Sequence, residues 1–515
     1  MATEAATTET PDAYEELLER YGRIAGVGDA ASVLHWDQEV MMPEGGTPAR
    51  SRQLAALSAV RHDLLTDDRT GELLDELSGA APAADTGDTD ADEPSGERAA
   101  VVREVRRQHE RAARVPTELV EAISRTTSEA LPVWEEAKAE DEFDSFAPVL
   151  EELVALKREY AEHVDPDRPP YEVLFEDYEP YLDLDTAERI LETLREELVP
   201  LIERVSDSDV ELADPFTGSY DADAQEALAR DALDTLGYDW ERGRLDTAPH
   251  PFSTGTPFDA RVTTRFDESD PLGALMSTIH EFGHATYTHG LPDDGYGTPL
   301  GENRDLSVHE SQSRLWENHV GRSEAFWELF APRVRERFPD VDAGPRECYE
   351  VANRVYEDNL VRVEADELTY HMHIVLRFEI ERDLIRGDLD VAEVPRVWNE
   401  KMDEYLGVRP DADSEGCLQD IHWSHGSFGY FPTYSLGSVL AAQLHAAAER
   451  DLDDLDGQVR EAEFGPLHEW LTERVHRHGQ RYTTPELIER ATDEPFSAEP
   501  FLDHVETKFG ALYDL

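Results

Sequence analysis

Lysine is nearly missing from this chain: among 515 residues it occurs only as Lys138, Lys157, Lys401 and Lys508, and almost all positive charge is arginine. Forty-seven Lys plus Arg face 115 Asp plus Glu, for a formal net charge of −68. A broad basic surface cannot be drawn over such a chain, which excludes a nucleic-acid partner gripped through its phosphates and attraction to an anionic membrane. Cysteine is just as scarce. Two cysteines, Cys348 and Cys417, cannot make a disulfide framework, and their wide separation gives no paired-cysteine metal motif. No run of about 18 apolar residues predicts a membrane span, and Met1 to Asp12 lacks the basic and apolar regions of a secretory signal. The expectation is a soluble, cytoplasmic protein. With 39% hydrophobic residues and eight Trp, it is not an acidic disordered chain. The acidic excess fits a halophilic cytoplasm, where molar salt shortens the Debye length to about 3 Å and neighbouring carboxylates stop repelling one another.

Period-2 alternation is also rare, and the dominant spacing is helical. Apolar residues recur at three and four along Tyr14 to Ala25, Thr47 to Leu77, Ala99 to Arg114, Thr117 to Ala130, Pro132 to Asp141, Phe146 to His163, Leu184 to Ser206 and Ala222 to Leu236. The fold class is mainly α. One low-complexity stretch, Gly79 to Gly96, has almost no core-forming side chains and reads as a surface loop. A turn-rich region from Ala248 to Asp270 contains Arg261 to Arg265 (RVTTR), whose β-branched residues suggest a short edge strand. No interdomain linker stands out. A single unit spanning residues 1–515 is expected, with a mainly helical N-terminal region (residues 1–247), a motif-bearing region (residues 248–437) and a helical C-terminal region (residues 438–515).

The informative segment is Leu272 to Gly290, which contains His280-Glu281-Phe282-Gly283-His284. In a helix, residues four apart differ by about 40° net, so both imidazoles leave one face a turn apart, as two metal ligands need. Glu281 lies about 100° from His280, flanking that face where a general base would stand. His289 is about 180° away and faces elsewhere, so a third ligand comes from another element. A second helical segment, Asp305 to Val320, supplies Glu310; Glu302, Asp305 and Glu317 are its competitors on chemistry alone. Two histidines and one carboxylate form a ligand set used for peptide hydrolysis.

Further motifs follow in order: His250-Pro251-Phe252; Asp259, Arg261 and Thr263; His309-Glu310-Ser311-Gln312; Val361-Arg362-Val363-Glu364-Ala365-Asp366; and Gly416, Gln419, Asp420, His422 and Trp423. With the His280 to His284 motif, the stretch Ser424 to Gly437 and the early Trp36 to Gly46, they resemble the carboxypeptidase Taq family of zinc metallocarboxypeptidases over most of the chain. Val361, where the family pattern has Ile, is a small apolar departure. The resemblance implies a large helical zincin, gluzincin-like, with a deep central groove and at most a small β element near the active site. It also implies Glu310 as third ligand beside His280 and His284, zinc with cobalt as an alternative, a homodimer, and broad-specificity removal of C-terminal residues from peptides with a free C-terminus. Glu281 would take a proton from water and pass it to the leaving amine.

An exopeptidase also needs a positive group for the substrate's terminal carboxylate. Arg362 is the first candidate and Arg261 the second; their plain structural readings are ion pairs with Asp366 and Asp259. His422, Tyr430 and Tyr434 are the candidates for donors to the oxyanion. Asp420 and His309 read as partners that orient the metal ligands or the groove wall. The competing readings are an oligopeptidase or dipeptidyl carboxypeptidase on a similar scaffold, and a metal-binding protein without catalysis.

Overall fold

A computed structural model describes residues 12–80, 94–356 and 360–515. Long helices dominate, as the apolar spacing predicts, but their ends differ from the sequence reading. The first helix runs on to Val40 (Ala13–Val40). The segment read as one helix from Thr47 to Leu77 is two, Thr47–Thr66 and Asp68–Ala80, because the backbone turns extended at Asp67 (φ −58°, ψ 136°). Conversely, Pro132 does not break a helix: it sits inside Thr117–Glu140. Most of the expected loop from Gly79 to Gly96 lies outside the described residues; at its two ends helix Asp68–Ala80 closes and helix Pro94–Arg114 opens. No helix of the described residues is long and apolar enough to cross a membrane.

The first helices bury a small core of their own, made of Leu17, Tyr21, Leu73, Leu74, Leu77, Val101 and Val105. Polar contacts tie it to the body. Arg304, fully buried, reaches Glu104 through two bonds of 3.0 and 3.3 Å, and the Tyr21 hydroxyl donates to the Glu302 carboxylate at 2.9 Å. Burial pushes the Glu302 carboxyl up to about 7, against the pull of Tyr21 and Arg61. Between the ordinary carboxylate value and about 7, the folded chain therefore holds a proton that the unfolded chain has released, so this group's contribution to stability declines as pH rises through that window. Glu302→Gln should remove the decline. We expect the variant to gain on the order of 2 kcal/mol relative to wild type between pH 5 and pH 8, read from paired denaturation curves.

Three short strands form one sheet: β1 (Gly243–Thr247), β2 (Ser253–Thr256) and β3 (Asp259–Thr264). The order is β1-β3-β2, with β1 parallel and β2 antiparallel to β3. The strand expected at the edge is thus the central one. Its alternation explains the spacing of Asp259, Arg261 and Thr263: they share one face, while Ala260 and Val262 are buried on the other. On the former face Arg261 lies over the Trp36 ring at 4.2 Å, which joins the sheet to the first helix. Thr264 reaches the carbonyl of Ala274 at 3.2 Å, fixing β3 against the next helix, Pro271–Gly290.

Candidate active site

Helix Pro271–Gly290 starts where its sequence says it should. The Asp270 side chain accepts from Gly273 N at 2.9 Å and Pro271 takes the first turn, where no N–H is missed. Leu272, Leu275, Met276, Ile279 and Phe282 are buried, which pins the helix rotation and turns His280 and His284 to a common side. Their ring centroids are 4.9 Å apart. Each ring is held from behind: His280 Nδ1 lies 2.9 Å from Glu317 Oε2, and His284 Nδ1 lies 3.1 Å from the carbonyl of His309. A nitrogen so engaged carries the proton, which leaves both Nε2 lone pairs free to bind a metal. Those Nε2 atoms lie 3.7 and 3.5 Å from Glu310 Oε2. The three donor atoms fall within 4.8 Å of one another. Two imidazole nitrogens and a carboxylate, with room between them, suit a divalent cation.

Glu310 comes from helix Leu306–Arg314, which continues as a π-helical turn, Leu315–Gly321. Two glycines bring it close. A Cβ on Gly283 would stand 2.5 Å from the carbonyl oxygen of Gln312, and one on Gly437 would stand 2.5 Å from both Cβ and Cγ of Glu310. Arg314 then binds Glu310 Oε1 at 2.8 Å and Glu317 Oε2 at 3.1 Å, and Arg322 binds Glu317 Oε1 at 2.9 Å. Burial would raise both carboxyls, but Arg314 and the histidines outweigh it and hold Glu310 and Glu317 well below the usual range. The other competitors are spoken for elsewhere: Glu302 by Tyr21, and Asp305 by Arg304 at 2.8 Å. Glu317 lies outside the group of three, behind the His280 ring.

Glu281 is buried, and its Oε2 has no hydrogen-bond partner among the described residues. Burial raises its carboxyl above the ordinary value, opposed by the two histidines. The His309 ring lies against that of His284, tilted, with centroids 4.4 Å apart, and burial with the neighbouring ring holds its pKa well below the ordinary value. His289 points away, as expected, to the carbonyl of Arg242 at 3.0 Å.

An aromatic wall adjoins this centre. Tyr430 and Tyr434 lie 5.1 Å apart, His422 stacks on Tyr430 at 5.5 Å, and Tyr434 meets Tyr370 at 6.2 Å. Burial raises the Tyr430 phenol, and the charge of Glu310 adds to the effect. Burial holds His422 below its ordinary value despite Asp420. Arg362 is buried in the same wall, with Nη1 3.3 Å from the Tyr370 hydroxyl; Arg314 also lies against that tyrosine, 4.7 Å from the ring centroid. Tyr370, which no spacing in the sequence singled out, thus links Arg362 to the Glu310 pair. The ion pair expected between Arg362 and Asp366 is not formed. Arg362 makes a two-pronged pair with Asp420 at 2.9 and 2.8 Å, while Asp366 accepts from Leu368 N and Thr369 N at 2.9 Å each. Arg261 stands apart from this group, paired with Asp259 through bonds of 3.0 and 2.6 Å and stacked on Trp36.

The carboxypeptidase Taq (M32) metallopeptidase model matches residues 16–509. This chain belongs to that family. As an M32 chain it is a metallocarboxypeptidase, and its relatives agree across their whole lengths. It is 40% identical to thermostable carboxypeptidase 1 of Thermus thermophilus, over 98% of this chain and 100% of that protein. Identity to carboxypeptidase 1 of Bacillus subtilis is 34%, over 97% and 99%. The crystal structure of an M32 carboxypeptidase from Deinococcus radiodurans superposes with a TM-score of 0.92 at 36% identity, covering 98% of this chain and 100% of that one.

Proposed function

We propose that this metallocarboxypeptidase is a zinc enzyme that releases single residues of varied type from the free C-terminus of peptides. One observation carries the reading: two imidazole Nε2 atoms and one carboxylate converge, each backed by an outer partner, beside a buried carboxyl with an unsatisfied oxygen. His280, His284 and Glu310 would hold the ion. Bound there, zinc would polarise the scissile carbonyl and acidify water. Glu281 takes the proton from the attacking water and delivers it to the departing amine, a role suited to a carboxyl raised by burial. Arg362 receives the substrate's terminal carboxylate, with Asp420 fixing the plane of its guanidinium and Nη1 turned to Tyr370. Arg261 is the weaker candidate, since it stands apart from the metal group and the aromatic wall, stacked on Trp36. Donors for the developing oxyanion come from His422, Tyr430 and Tyr434. The active molecule is a homodimer and works in the cytoplasm.

Peptide acids against their amides test the substrate class. A single unblocked peptide should yield a ladder losing one residue per step, and the same peptide as a C-terminal amide should be cut at least about 100-fold more slowly. Efficient cleavage of the amide, or release of dipeptides, would transfer the chain to the oligopeptidase or dipeptidyl carboxypeptidase reading.

A further inference from the structure

Arg377 and Glu381 belong to none of the motifs noted above, yet they form one of the most deeply buried ion pairs in the chain. Both side chains are fully buried on helix Tyr370–Arg386, one turn apart, with Arg377 Nε 2.8 Å from Glu381 Oε1. The pairing is lopsided. Nη1 and Nη2 of Arg377 have no hydrogen-bond partner among the described residues; the guanidinium lies instead 3.6 Å from the Trp423 ring centroid and 4.5 Å from that of Phe431. A buried charge with unmet donors is a poor source of stability, and an apolar pair of the same volume would serve at least as well. Geometry is the better explanation.

Apart from the Trp398 ring, 5.9 Å from the guanidinium, every remaining contact of the pair lands on one segment. Glu381 Oε1 accepts from the Trp423 indole N–H at 3.0 Å, and Oε2 accepts from Gly429 N at 3.3 Å. Trp423 follows His422 and stands three residues after Asp420, and Gly429 precedes Tyr430. The carboxylate therefore grips both ends of the loop that carries the wall, while the guanidinium forms a flat floor under Trp423 and Phe431. Asp420, just ahead of that loop, is the residue that grips Arg362. We propose that Arg377 and Glu381 are a positioning pair that sets Asp420, and through it the Arg362 guanidinium, at the place a free C-terminal carboxylate must reach. This rests on the reading of Arg362 as the carboxylate anchor.

Arg377→Lys keeps a charge beside Glu381 but loses the planar stack and the fixed fork. We expect KM for a peptide acid to rise at least about tenfold with kcat within about threefold, because the anchor contributes binding shared by ground and transition states. The acid-to-amide preference should fall in parallel, and bound metal should stay at the wild-type level. Trp423→Phe, which keeps a ring under the guanidinium and removes one bond to Glu381, should shift KM in the same direction by less. If Arg377→Lys does not fold, Glu381→Gln takes its place in the same assay. A wild-type KM and acid-to-amide ratio in the variant, or a fall in kcat at constant KM, overturns the inference. Arg362→Lys separates the two claims. Should it keep the full acid-to-amide preference, the anchor reading itself fails. Should it lose that preference while Arg377→Lys retains it, only the positioning pair is refuted.

Discussion

Glu281→Gln should turn over peptides at least about a thousandfold more slowly than wild type while binding its metal equally well. The substitution is nearly isosteric, so the buried packing around residue 281 and the two flanking imidazoles should survive. What is lost is basicity: an amide cannot take a proton from water, and a positioned general base is worth about 10²–10⁴ in rate. The unpartnered Oε2 makes the case sharper, because no hydrogen bond of structural value is removed with the charge. Steady-state kcat beside metal content per chain is the measurement. A variant with kcat within tenfold of wild type would remove Glu281 from the mechanism, and one that lost its metal would make the residue structural.

The second large effect is expected from a residue with no chemistry at all. Gly437 lies on helix Pro432–Asp451, and a Cβ there would come within 2.5 Å of Cβ and Cγ of Glu310 and 3.2 Å of its carbonyl carbon. Those atoms are near the backbone and cannot swing aside, so Gly437→Ala must push the two helices apart or rotate Glu310 out of line. Either movement breaks the Arg314 clasp or the convergence on the two Nε2 atoms. Metal affinity should fall by about 100-fold or more, measured by competition with a chromogenic chelator, with activity partly restored by excess metal. Gly465→Ala, a helical position with open space around the added methyl, is the control and should change neither. Wild-type affinity in Gly437→Ala would mean that the close approach does not set the position of Glu310.

Where the sequence was legible, the relevant geometry was local. The His280 to His284 spacing has meaning because a helix repeats every 3.6 residues, and the cap at Asp270 with its proline marks where that helix begins. The same periodicity gave the helical fold class, and alternation in Asp259, Arg261 and Thr263 fits the strand they form. Errors arose where context outvoted pattern. RVTTR looked like an edge strand because its two pairings, with Gly243–Thr247 and Ser253–Thr256, cannot be seen from within it. Pro132 stayed inside a helix, and Asp67 broke one that periodicity carried through.

By itself, then, the sequence determined a helix with two histidines on one side, a carboxylate beside them, a family resemblance and a strongly acidic charge, since each is a property of neighbours along the chain or of composition. Choosing among Glu302, Asp305, Glu310 and Glu317 on chemistry alone was beyond it. All four carboxylates sit within one short stretch of chain, and what separates them is which distant side chain each one meets: Tyr21, Thr484, the two imidazoles, or His280 from behind. The partner of Arg362 was decided the same way, by Asp420 arriving from 58 residues downstream. Coordination and ion pairing act over a few ångströms between groups that are remote in sequence, so only the packing of helices, set here at Gly283 and Gly437, could assign them.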